Sequence, residues 1–246
     1  MKKLMIAWIL AVLPTFVLAS GGEAKLDKAD IDLTDQHSLQ RGAKFFMNYC
    51  AGCHSLKFMR YNRMAQDLGL TDEQVKQNLM FTEAKMGEPI TNALPAAAAK
   101  GWFGVVPPDL SVIARARGAD WLYTYLRTFY LDESRPFGVN NLVFPDVGMP
   151  HVLWQLQGWQ VAVKKTEVDA EGKEHTVIEK LESASPGSMS AREYDATVRD
   201  LVNFLAYVGE PVQLERQRLG VWVILFLLVF TVVAYLLKKE YWKDIH

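Results

Sequence analysis

Apolar residues fall at helical spacing in two long stretches of the chain. Leu39, Ala43, Phe46 and Cys50 step by four, three and four, which predicts a helix over residues 35–50 with Thr34 or Asp35 as its cap. Gly42 lies on the same face, one turn before Phe46. A glycine inside a helix costs about 1 kcal/mol against alanine, so a closely packed neighbour is expected there. Tyr194, Val198, Leu201, Val202, Leu205 and Val208 form the second apolar face. The capping box Ser190-Ala191-Arg192-Glu193 opens it, and Gly209-Glu210-Pro211 closes it. A third segment is apolar all round. Residues 219–237 run 19 positions without a charge, roughly 28 Å of helix at about 1.5 Å per residue, enough to cross a bilayer. Lys238, Lys239 and Lys243 behind it place the C-terminus on the cytoplasmic side, and Trp222, Tyr235, Tyr241 and Trp242 lie where interfacial aromatics are found.

Between these landmarks the pattern is more broken. Phe58, Met59, Tyr61 and Met64 suggest an apolar, mixed helical stretch, and Thr71 or Asp72 caps a further helix. Residues 82–108, with four prolines, three glycines and an alanine run, read as a long irregular loop. Such loops usually wrap something. Pro108-Asp109-Leu110-Ser111 leads into a helix bearing Ile113, Arg115, Arg117, Trp121, Leu122, Tyr125 and Leu126, and residues 136–150 are again turn-rich. Alternation of Trp159, Val161 and Val163 with Val177 and Leu181, across a turn at residues 169–172, predicts a hairpin over 158–182.

The first 19 residues are a leader: Lys2-Lys3, an apolar run from Leu4 to Leu18, and small residues suited to cleavage near Ala19 or Ser20. The expected organisation is a signal peptide over 1–19, a periplasmic domain over 20–213, a transmembrane helix over 214–238 and a short cytoplasmic tail over 239–246. That is a bacterial inner-membrane protein with its domain outside. Net charge is −1 and no basic run alternates with aromatics, so a nucleic-acid partner is set aside. The fold expected is mainly α, with long loops, a small β-hairpin insertion and one C-terminal transmembrane helix.

Chemistry concentrates at Cys50-Ala51-Gly52-Cys53-His54. Two thiols at this spacing can bond one edge of a haem, with the adjacent histidine under the iron. A redox dithiol would sit in a thioredoxin-like context, and a zinc site needs two more ligands, whereas these are the only two cysteines of the chain. A covalent haem c is the reading, with His54 as proximal ligand. The sixth ligand must come from far down the chain. Met149, bracketed by Gly148 and Pro150, is favoured; Met80, Met86 and Met189 remain open, and His151 is the rival. Arg115 and Arg117 are candidates for the haem propionates, since a guanidinium matches a carboxylate bidentately, against the plainer reading of a solvated helix face.

These residues, together with Pro107-Pro108-Asp109-Leu110-Ser111, Ile113-Ala114-Arg115-Ala116-Arg117, Phe144-Pro145, Gly148-Met149-Pro150 and the tail anchor, resemble the cytochrome c1 family, the haem subunit of the bc1 complex, in a proteobacterial form. The resemblance implies a c-type cytochrome domain, in which the 35–50 helix crosses the 190–208 helix beside the haem. It also implies thioether links at Cys50 and Cys53, axial His54 and Met149, Arg117 near a propionate, and Pro108 in a loop over the haem edge. The partners implied are cytochrome b and the Rieske iron–sulfur protein in a dimeric complex, with a periplasmic cytochrome c as electron acceptor. On that reading the chain is an electron carrier and not an enzyme by itself. The alternative is a membrane-tethered haem sensor or peroxidase-like protein with an open sixth iron position; a third is a membrane protein without haem.

Overall fold

The computed structural model describes residues 25–168 and 174–244. The leader and the hairpin turn at 169–172 lie outside the described residues. Two helices that cross at close range carry the core. The first, α1 (Gln36–Tyr49), starts at Asp35, whose side chain accepts from Ser38 N at 3.0 Å. Its face of Leu39, Ala43, Phe46 and Met47 is buried. Further down the chain, the helix Ala191–Gly209 begins with the expected Ser190/Glu193 capping box and buries Val198, Leu201, Val202, Phe204 and Leu205 against it. The crossing is set by Gly42. A Cβ there would stand 2.1 Å from Asp200 O and 2.7 Å from Phe204 Cβ, so only a bare backbone fits. Phe46 and Phe204 meet beside it with ring centres 5.8 Å apart.

After α1 come β1 (Leu56–Arg60), α2 (Tyr61–Asp67), α3 (Asp72–Asn78) and β2 (Pro89–Ile90). The mixed helical stretch expected from Phe58 onward is therefore a strand first and a helix second. Backbone pairing of β1 with β2, from a segment 30 residues away, outweighs local propensity. Nor is 82–108 wholly irregular. It holds β2 and an eight-residue helix, α4 (Ala96–Phe103). The alanine run favours the helix, Pro95 leads in, and Gly104 ends it in the left-handed conformation at φ 74°.

The helix expected from Ile113 to Leu126 is two, α5 (Ile113–Arg117) and α6 (Ala119–Arg127), broken at Gly118, whose φ of 89° no helix accepts. Then β3 (Phe129–Leu131) pairs with β4 (Val139–Asn141), a small hairpin whose second strand lies inside the turn-rich stretch. It encloses a second cluster of Phe129, Val139 and Val147. A short α7 (Trp154–Gln157) precedes the long hairpin β5 (Gly158–Val168) and β6 (Glu174–Pro186), which starts where expected and extends four residues further. The helix Ala191–Gly209 is α8, and α9 (Gln213–Tyr241) follows it after three residues. α9 buries no residue in the chain's own core and is long and apolar enough to cross a membrane. The fold is thus mainly α with small hairpins and one C-terminal apolar helix, as the pattern predicts.

Candidate functional site

The C-terminal end of α1 delivers Cys50, and the next four residues wrap around its carbonyl. Cys53 N and His54 N both donate to Cys50 O, at 3.0 and 2.8 Å. This turn aims both thiols and the imidazole at one cleft. Both cysteines are free thiols. Burial, with Cys53 nearby, pushes the Cys50 thiol up to about 12. His54 Nδ1–H donates to Pro108 O at 2.7 Å, which leaves Nε2 with its lone pair directed away from the backbone. Burial holds the imidazole below its ordinary pKa despite that carbonyl, so it stays neutral. Pro108 is held in turn by its neighbours: Asp109 accepts from Lys57 N and Ser111 N, both at 2.9 Å.

The cleft has a volume of about 590 Å³, within the range of cofactor sites. Cys50, His54, Pro108, Arg117 and Met149 all line it, and an adjoining recess adds Cys53 and Pro107. The walls are predominantly apolar: Ile113, Trp121, Leu122, Tyr125, Leu126, Phe144 and Val147 from α5, α6 and the β4 loop, with Leu201 and Leu205 of α8 behind. Met149 reaches it from the loop after β4, and Tyr125 O–H donates to its sulfur at 3.4 Å.

Arg117 stands at the rim with its guanidinium 5.1 Å from the Trp121 ring and 5.8 Å from Phe144. Among the described residues no carboxylate lies within ion-pair distance of it. Arg115 does not line the cleft; its Nη1 lies 3.7 Å from Glu210, at the far end of α8. His151 is buried away from the cleft as well, stacked on Phe129 at 4.9 Å and set edge-on to Trp159 at 5.9 Å. Burial pushes it down to about 4. Met80, Met86 and Met189 pack on the main core and line neither space.

Tyr125 and Phe144 also line the cleft, although the sequence gives neither of them a role at a site. The signal for Tyr125 was its i, i+4 spacing from Trp121; the two rings stack at 5.0 Å on the cleft face of α6. Phe144 stands out in the sequence only within the Phe144-Pro145 pair of the family resemblance, and its loop is placed by the β3–β4 pairing. The donor set fits a haem c: two free thiols, a neutral imidazole with one nitrogen held by a carbonyl, a thioether, and an unpaired guanidinium around one apolar cavity.

A family model for the Cytochrome C1 family matches residues 28–92 and 182–245, and these segments carry α1, the haem-motif turn, β1, α8 and α9. The chain is 56% identical to cytochrome c1 of Allochromatium vinosum over the full length of both. It is 51% identical to a protein of Nitrosomonas europaea named ammonia monooxygenase gamma subunit, over all of this chain and 98% of that one. It is 28% identical to the mitochondrial heme protein cytochrome c1 of Saccharomyces cerevisiae, across 86% of this chain and 68% of that one. On the family match and the full-length identity, the chain belongs to the cytochrome c1 family.

Proposed function

We propose that the chain is the electron-carrying haem subunit of a membrane quinol–cytochrome c oxidoreductase of the bc1 type, with cytochrome b and a Rieske iron–sulfur protein as its neighbours in a dimeric complex. It takes one electron from the Rieske protein and passes it to a periplasmic cytochrome c. The observation that carries this reading is the convergence of Cys50, Cys53, His54 and Met149 on one apolar cleft, in a chain of this family. A haem c bound there supplies one-electron iron chemistry.

The chain's own residues hold and tune it. Cys50 and Cys53 would anchor it by thioether bonds, and His54, fixed through Nδ1 by Pro108 O, would offer Nε2 as the metal ligand. Met149 would supply a thioether ligand, its sulfur steadied by Tyr125 O–H. Arg117 would pair a propionate at the rim, and the apolar walls would exclude water. The domain assignments follow: leader 1–19 removed, haem domain 20–213 in the periplasm, span 214–238 and tail 239–246 in the cytoplasm.

A haem sensor or peroxidase needs a vacant iron face, which a thioether in the same cleft as His54 opposes. Replacing Met149 by leucine separates the two. The wild type is expected to show the thioether–iron absorption band and to take up carbon monoxide slowly. Met149→Leu is expected to lose the band, lower the potential and bind the gas. A variant spectrum identical to wild type sinks the assignment and moves the sixth ligand elsewhere.

A further inference from the structure

Arg115, which the cleft does not use, belongs to a different construction at the joint between the haem domain and the membrane helix. The joint is short: α8 ends at Gly209, and Glu210, Pro211 and Val212 lead directly into α9. Proline restricts the residue before it to extended backbone, and Glu210 has φ −159° and ψ 80°. The Glu210 carboxylate faces two guanidiniums from different elements. Arg216 of α9 binds it through both Nε and Nη2, the latter at 3.1 Å, and Arg115 Nη1 of α5 stands at 3.7 Å.

Gly209 makes room for this. A Cβ there would lie 3.3 Å from Arg115 Cγ and 3.8 Å from Ser111 O, so the Arg115 stem rests on bare helix backbone. A second tie fixes the same turn of α8 to α2. Tyr207 O–H donates to Asp67 at 2.7 Å, and Asp67 also takes Arg63 Nε at 2.6 Å. Arg63 is held charged first by Asp67, and Glu215 in the first turn of α9 adds to the same field.

We propose that Glu210, gripped by Arg115 and Arg216, is a positioning residue that braces the haem domain at one fixed angle to the membrane helix, so that the joint is not a free swivel. The pairs are partly exposed, and each by itself is worth little. Their effect is geometric: three residues with one proline leave few torsions to restrain. A fixed angle matters because one-electron transfer needs the haem edge held in reach of its donor. The inference rests on α9 being the membrane anchor.

The test uses the full chain in lipid nanodiscs. Spin labels are carried on ketone-bearing residues at Lys44 and Gln217, a chemistry that leaves Cys50 and Cys53 untouched. Pulsed electron–electron distance measurement reads the spread of the angle as the width of the distance distribution. A narrow distribution is expected for the parent, a broad one for Glu210→Gln, and a narrow one for Glu182→Gln, the same charge change on the distant hairpin. A broad distribution in the parent, or no broadening in Glu210→Gln, overturns the brace. Co-flotation of the chain with vesicles reads the anchor separately, so failure of one claim is not mistaken for failure of the other.

Discussion

On the proposed ligation, Tyr125 is the residue at which packing would meet redox chemistry. Its ring is stacked on Trp121 and set edge-on to Phe129, and its hydroxyl reaches Met149 Sδ. Burial pushes the phenol well above its ordinary pKa, so it stays a donor at any physiological pH. A donor on the thioether draws density from sulfur and disfavours the ferric state. Tyr125→Phe is therefore expected to lower the potential by roughly 20–40 mV, taking about 0.5–1 kcal/mol for the bond and 59 mV per tenfold for one electron. Potentiometric titration checks it, and an unchanged midpoint would remove the hydroxyl from the tuning of the site. Cys50, Cys53 and His54 were legible in the sequence because their chemistry is written in consecutive positions. Arg115 and Arg117 were not separable there. Two residues apart on one short helix, they point at different partners, Glu210 and the cleft rim, and only the packing of α5 on α8 tells them apart.

At the scale of elements, the crossing of α1 and α8 is the joint on which the cleft hangs. Gly42→Ala forces a methyl into Asp200 O and Phe204 Cβ. The expected cost is about 1–3 kcal/mol of overpacking, a fall of roughly 2–12 °C in the midpoint, with unfolding followed by circular dichroism. An unchanged midpoint would mean that the helices separate freely. The leading segment is held by polar ties of its own. Asp27 N donates to Thr124 Oγ1 at 2.8 Å, Ala29 N to Asp120 Oδ1 at 2.9 Å, and Lys28 Nζ to Asp120 Oδ2 at 2.6 Å. Arg199 Nε and Asn203 Nδ2 of α8 donate to the carbonyls of Ala29 and Asp32.

The Ala29 N–H, then Lys28, hold the Asp120 carboxyl below the usual carboxylate range. A folded-state value below the unfolded one stabilises the tie above the unfolded pKa, and the stability is lost as pH falls through the folded one. Amide exchange at Ala29 is expected to accelerate on acidification below about pH 4, and to be fast and independent of pH-linked loosening in Asp120→Asn. Persistent protection in acid would show that the carboxylate is not the clip. Capping boxes at Thr71 and Ser190 were legible from local spacing alone. The strands β1 and β4 were not, because each is defined by a partner elsewhere in the chain.

For the whole molecule, the haem domain and the apolar helix divide the work. α9 buries nothing in the core, so a chain ending at Val212 is expected to be soluble and to keep the haem spectrum. Its thermal midpoint should lie within about 4 °C of the full chain, the equivalent of roughly 1 kcal/mol. Loss of the haem spectrum on truncation would mean that the anchor supports the cleft. By itself the sequence determined the class of this protein: an apolar span, two amphipathic helices, and a haem-attachment motif at the end of the first. Those are properties of spacing and composition, which the chain carries before it folds. The tertiary structure alone decided which methionine and which arginine share a cavity with His54, that His151 is sealed between Phe129 and Trp159, and that Arg115 and Glu210 meet at the joint. Such contacts join residues up to about a hundred positions apart. They follow from how closely α1, α5, α6 and α8 pack, a distance set by Gly42 and Gly209 and invisible to any local pattern.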